Sequence, residues 1–126
     1  TGLLHQVLGL GSQAELLSHP RCGASWEGYV IEEALRAIEP DEAYFWGTHT
    51  GAEIDLVFRK NGVRYGLECK RTDAPKATPS MRQALSDLGL KHIWVVYPGS
   101  LNFAISERIT ALPLKELYTG WFKQQK

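Results

Sequence analysis

The stretch GAEIDLVFRKNGVRYGLECK, residues 51–70, gathers the side chains best suited to chemistry: Glu53, Asp55, Glu68 and Lys70. Two carboxylates on neighbouring strands make an oxygen-rich site, and hard oxygen ligands favour Mg²⁺ or Mn²⁺ over Zn²⁺. The neighbourhood is inferred from Asn61-Gly62, the pair that most readily forms a two-residue type I′ hairpin loop because both residues tolerate positive φ. With that loop, Lys60 pairs with Val63, Phe58 with Tyr65, Leu56 with Leu67 and Ile54 with Cys69. Between these pairs, Asp55 faces Glu68 and Glu53 faces Lys70. Alternation puts Ile54, Leu56, Phe58, Tyr65, Leu67 and Cys69 on an apolar face, leaving Glu53, Asp55, Gly66, Glu68 and Lys70 on the other.

Directly opposed Cβ atoms lie roughly 5 Å apart, so Asp55 and Glu68 would be like charges side by side, a destabilising arrangement. Lys70 on the same face would offset it, and so would a divalent cation bridging the carboxylates. The alternative is a solvated polar face with Glu53 and Lys70 as a surface ion pair worth roughly 0 to 1 kcal/mol. Spacing alone leaves both readings open. Gly66, beside Glu68 on that face, leaves space for a ligand or marks a bulge.

The elements that must position these residues can be read from pattern. Residues 26–38, WEGYVIEEALRAI, place Tyr29, Val30, Ala34, Ala37 and Ile38 near one helical face, with Ser25 as N-cap and Glu27 in the first turn. Pro40 ends that helix, and 43–48, AYFWGT, is an aromatic strand. After the hairpin, Thr78 caps a helix over 79–88 with Pro79 at its first position and Gly89 as terminator. The continuous apolar run 93–97, IWVVY, suits a strand buried on both faces and reached by a parallel crossover. A strand around 103–105 and a C-terminal helix at about 113–123 complete an α/β domain with a mixed sheet and an α-β-β-β-α-β core.

The totals fit one domain over 1–126, with its core at about 23–110. The 126 residues are 44% hydrophobic and 22% charged, ordinary globular composition. No apolar run approaches the roughly 20 residues of a membrane span, and the N-terminus lacks a signal-peptide pattern, so a cytoplasmic location and no membrane partner are expected. Fourteen basic residues balance 14 acidic ones, which weighs against a global nucleic-acid-binding field. Cys22 and Cys69 are too few for a disulfide framework and are expected to be reduced. The start at Thr1 suggests a C-terminal fragment of a longer polypeptide.

A Glu on the first helix, an Asp on the second strand of the core and Glu-x-Lys on the third resemble the PD-(D/E)XK nuclease superfamily, with its restriction-endonuclease-like fold. Here these are Glu27, Asp55 and Glu68-Cys69-Lys70, and the resemblance spans roughly residues 23–97. FWGTHTGAEIDLVF, LECKRTDAPKATPSMRQAL and WVVYPG look like the nuclease-like C-terminal domain that follows a P-loop module in AAA-type ATPases of bacteria and archaea. No GxxxxGK[ST] occurs, so no ATP site is assigned to this chain. The resemblance implies that Asp55, Glu68 and the Cys69 backbone carbonyl hold Mg²⁺ or Mn²⁺, which polarises a phosphoryl oxygen and a water. It implies that Lys70 orients or deprotonates the attacking water or stabilises developing charge, and that Glu27 adds a ligand through water. DNA and the absent ATPase module are the implied partners.

Plainer readings accompany each residue. Glu27 is independently explained by the helix dipole, an effect of roughly 0.3 to 1 kcal/mol. Glu53 holds Lys70 in place, and His49 is an incidental loop histidine or a phosphate contact. Arg71, Lys76 and Arg82 fit a solvated surface as well as a nucleic-acid backbone. Trp26, Trp46, Trp94 and Trp121 are too scattered for a stacking platform and read as core or interface. Exposed aromatics at Trp121-Phe122 would mark contact with the ATPase module. Two functions result: a metal-dependent nuclease or nuclease-like DNA-binding domain, and a non-catalytic regulatory or interaction domain retaining the fold.

Overall fold

The structure, a computed structural model, describes residues 26–122 and, by backbone alone, 3–9. Ser25, Cys22 and the loop HPRCGAS lie outside the described residues. Asn61 and Gly62 adopt φ of 54° and 81°, as a type I′ loop requires. Strands β3 (Glu53–Lys60) and β4 (Val63–Cys69) accordingly keep the expected antiparallel register from Lys60↔Val63 to Leu56↔Leu67.

Helix α1 spans Trp26–Ile38, and β2 (Glu42–Thr48) pairs antiparallel with β3 on one side. Its other neighbour is β1 (Leu3–Gly9), an edge strand that sequence pattern did not assign. Helix α2 covers Pro79–Leu88, opened by Thr78 Oγ1 accepting the Met81 N–H at 3.2 Å and closed by Gly89 at φ 64°. It leads to β5 (His92–Tyr97), which lies parallel to β4 and is buried from Ile93 to Tyr97. β6 (Phe103–Ser106) and β7 (Ile109–Pro113) complete a seven-stranded mixed sheet of order β1-β2-β3-β4-β5-β7-β6.

One sheet face packs Leu56, Phe58, Leu67 and Trp94 against Val30, Ile31, Ala34 and Leu35 of α1. The other packs Val57, Ile93 and Val95 against Met81 and Ala84 of α2. Tyr29, expected on the inner face of α1, is 46% exposed. Ile31 and Leu35 are buried instead, since the stripe through 31, 34, 35 and 38 is the one that faces the sheet.

Among the described residues, the C-terminal helix expected at about 113–123 is replaced by other structure. Ile109–Pro113 continue the sheet beside β5, and a 3₁₀ turn, Leu114–Tyr118, follows. That turn sends Trp121 and Phe122 into the core, at 2% and 5% exposure, rather than out to a partner. Trp121 meets Trp94 edge-on at 5.6 Å, and Phe122 meets Tyr65 at 5.2 Å and Phe58 at 5.7 Å.

Candidate functional site

The ladder between β3 and β4 does not continue to Ile54–Cys69, Asp55–Glu68 and Glu53–Lys70. On the β2 side, Tyr44 pairs with Val57 but Trp46 with Ile54, so three steps of β3 oppose two of β2. This is a β-bulge at Asp55-Leu56, and such an extra residue breaks the alternation of faces. Ile54 consequently joins Val57 on the α2 side, while Cys69 stays on the α1 side. Where β3 leaves β4, the carboxylates replace the missing backbone partners. The Asp55 N–H donates to Glu68 Oε1 and the Cys69 N–H to Asp55 Oδ2, both at 2.9 Å.

This reciprocal clamp explains why side-chain acceptor oxygens sit in a core hairpin, because a buried N–H left without a partner costs about 1 to 3 kcal/mol. It also creates an electrostatic problem. Asp55 and Glu68 are the two buried charged residues of the described core. Burial first, and then the Asp55 charge and a hydrogen bond between the two side chains, push the Glu68 carboxyl up from its ordinary 4.5 to about 8. At neutral pH the pair therefore retains a proton. Lys70 acts against this: its Nζ lies 3.7 Å from Glu68 Oε2, while its N–H donates to the Val96 carbonyl at 2.9 Å and anchors it at the end of β4.

Two other segments reach this end of the sheet. The Arg71 guanidinium lies over the Trp26 ring at 5.5 Å, bringing the first turn of α1, with Glu27, beside the end of β4. The Ser80 hydroxyl, in the first turn of α2, accepts the Glu53 N–H at 3.3 Å, a contact that the cap signal at Thr78 could have suggested. Asp55, Glu68 and Lys70 lie together at this end of the sheet, through the clamp and the Lys70–Glu68 contact rather than through the expected ladder pairing. Glu27 is nearby but does not close a ligand set, since the described residues contain no group of three or more His, Cys, Asp or Glu arranged to hold a metal.

Gly66 leaves no ligand space. A Cβ there would lie 3.1 Å from both Ile93 Cγ1 and Leu90 Cδ1, so the missing side chain permits close packing of the α2 side. His49, Arg71, Lys76 and Arg82 are exposed. Trp46, Trp94 and Trp121 are core residues, with Trp26 packed at the core's edge. Cys69 is buried, and no described helix is long and apolar enough to cross a membrane.

Fold and site together define a mixed α/β domain with a buried carboxylate pair at the sheet end. The chain belongs to a domain family of unknown function, DUF4143, which matches residues 22–117. It is 42% identical over 119 residues to uncharacterised proteins of Mycobacterium tuberculosis and Mycobacterium bovis. That stretch is 94% of this chain and 27% of each relative, so the chain spans about a quarter of their length. No solved structure matches.

Proposed function

We propose that this domain is a metal-dependent phosphodiester hydrolase of the PD-(D/E)XK type, acting on nucleic acid and appended to an AAA-type ATPase module. The observation that carries the reading is the convergence of Asp55 and Glu68 at the splayed strand ends, with Lys70 Nζ 3.7 Å from Glu68 Oε2. The element order α1-β2-β3-β4-α2-β5 agrees with the restriction-endonuclease-like arrangement. The relatives have ample length beyond the matched region for an ATPase module.

The residues fit a hard divalent cation. Two buried carboxylates, with Glu68 pushed up by burial and by the Asp55 charge despite Lys70 nearby, gain by exchanging a proton for a divalent cation. Asp55, Glu68 and the Cys69 carbonyl would hold Mg²⁺ or Mn²⁺, which when bound supplies Lewis-acid polarisation of a phosphoryl oxygen and of a water. Lys70, anchored at its backbone, would orient the attacking water, take its proton as the neutral amine, or as the ammonium balance developing negative charge. Glu27 adds an outer carboxylate through water.

A specific observation favours the non-catalytic alternative. Both carboxylates already accept a backbone N–H, so the pair has a complete structural role as a clamp. Calorimetric titration of Mn²⁺ into metal-stripped protein, beside Asp55→Asn and Glu68→Gln, separates the two. Binding lost in both variants, followed by Mn²⁺-dependent cleavage of DNA that needs Lys70, supports the hydrolase. Absence of binding by the starting protein at millimolar Mn²⁺ rejects it and leaves the clamp.

A further inference from the structure

A second polar constellation lies at the other end of the same strands. Because β4, β5 and β7 run parallel, their N-terminal ends bring Tyr65, His92 and Thr110 to the α1 side of the sheet, near the hairpin loop. Tyr65, Lys91, His92 and Trp94 line a cleft of about 120 Å³ there, with no acid among them. A water takes about 30 Å³ of liquid, so the space holds about four waters or one tetrahedral oxyanion, and it is well below the roughly 300 Å³ that encloses a drug-sized ligand.

Its chemistry is cationic at the rim and aromatic at the floor. His92 Nε2 is 2.7 Å from Thr110 Oγ1, which fixes the ring, and the imidazole meets Trp94 at 5.0 Å. Tyr65 and Trp94, 5.3 Å apart, close the base. The charged groups at the ring are Lys91, immediately before it, and Arg108, on the turn between β6 and β7. Both are exposed. Burial, and then the Arg108 charge, hold the His92 imidazole below its usual range, and a bound anion would counter both by offering the protonated ring a partner. Behind the floor, Trp121 packs on Trp94, and its Nε1 is buried without a hydrogen-bond partner.

We infer that this cleft is an oxyanion site that takes a phosphoryl group, bound by Lys91 and His92 over the Tyr65–Trp94 floor, with Arg108, outside the lining, adding its charge from the neighbouring turn. It goes beyond the carboxylate site and does not depend on it. Tyr65 and Glu68 are three residues apart on one strand, about 10 Å, and the two sites want ligands of opposite charge. The phosphoryl group belongs either to a free small anion or to a nucleic-acid terminus.

The test is inorganic phosphate titrated into the 126-residue chain in EDTA, followed through the His92 imidazole resonances by NMR. A saturable shift is expected, with affinity weakened about tenfold or more by Arg108→Glu and also reduced by Lys91→Ala, as loss of a charge-assisted contact requires. A 5′-phosphorylated oligonucleotide and its 5′-hydroxyl counterpart then identify the source: tighter binding of the phosphorylated strand than of phosphate assigns a nucleic-acid end, and the reverse a free anion. No saturable shift, or one unchanged in Arg108→Glu, overturns the site. EDTA removes divalent metal, so either result stands apart from whether Asp55 and Glu68 bind a cation.

Discussion

Glu68 should make the metal-free protein less stable as pH rises. Its carboxyl titrates at about 8 in the folded chain against 4.5 as its ordinary value, so between those limits the folded state binds more protons than the unfolded one. The stabilising contribution is therefore fully present below about pH 4.5 and is lost as pH climbs through about 8. At about 1.4 kcal/mol per pKa unit the loss has a ceiling of roughly 5 kcal/mol, comparable to the whole stability of a marginal domain. Glu68→Gln retains an oxygen able to accept the Asp55 N–H but has no proton to lose. Urea unfolding in EDTA, monitored by tryptophan fluorescence from pH 5 to 9, should show stability falling in the starting protein. The Glu68→Gln profile should be nearly level, and the variant should be the more stable of the two above pH 8. Parallel profiles, or stability that rises with pH only in the starting protein, would refute the claim that Glu68 is buried as an acid.

Other consequences are local. Phe122→Ala should cost about 3 to 5 kcal/mol in chemical denaturation, since its ring packs on Phe58, Tyr65 and Trp94, and truncation after Leu117 should abolish cooperative unfolding. Gly66→Ala should cost about 1 to 3 kcal/mol through overpacking against Ile93 and Leu90, lowering the melting temperature at every pH. Thr78→Ala should cost about 1 kcal/mol, because it deletes the acceptor for the Met81 N–H that opens α2.

What the sequence made legible was local and had a single strong signal. Asn61-Gly62 set the hairpin register, and Thr78-Pro79 with Gly89 set both ends of α2, because loop and cap geometry depend on few residues. Counting outward from the loop brought Asp55 and Glu68 to the same end of the hairpin, but their contact is a side-chain clamp where the ladder has ended rather than the cross-strand pairing expected. The bulge was not anticipated, since it shows only in the register against β2, whereas Val57, an apolar residue on the supposedly polar face, signals that both faces are buried. The C-terminal segment failed differently. Ile109–Pro113 finds its partner in β5, and Trp121 finds its neighbour in Trp94, contacts set by tertiary packing that no periodicity within the segment reports.

The clamp itself argues about function. Satisfying two backbone N–H groups requires acceptor oxygens, and Asn and Gln provide them without any ionisable group. Asp and Glu provide the same oxygens but bring two acidic groups into a site where the charge of each opposes that of the other. A site shaped only by stability would therefore gain from Asp55→Asn or Glu68→Gln, whereas a site shaped by cation binding would retain the acids at a cost in stability. The double variant Asp55→Asn/Glu68→Gln should unfold at higher denaturant than the starting protein at pH 8.5 in EDTA, and adding Mn²⁺ should stabilise only the starting protein. Equal Mn²⁺ responses would exclude the carboxylates as its ligands, and a double variant less stable in EDTA would mean that the acids serve the fold better than their amides.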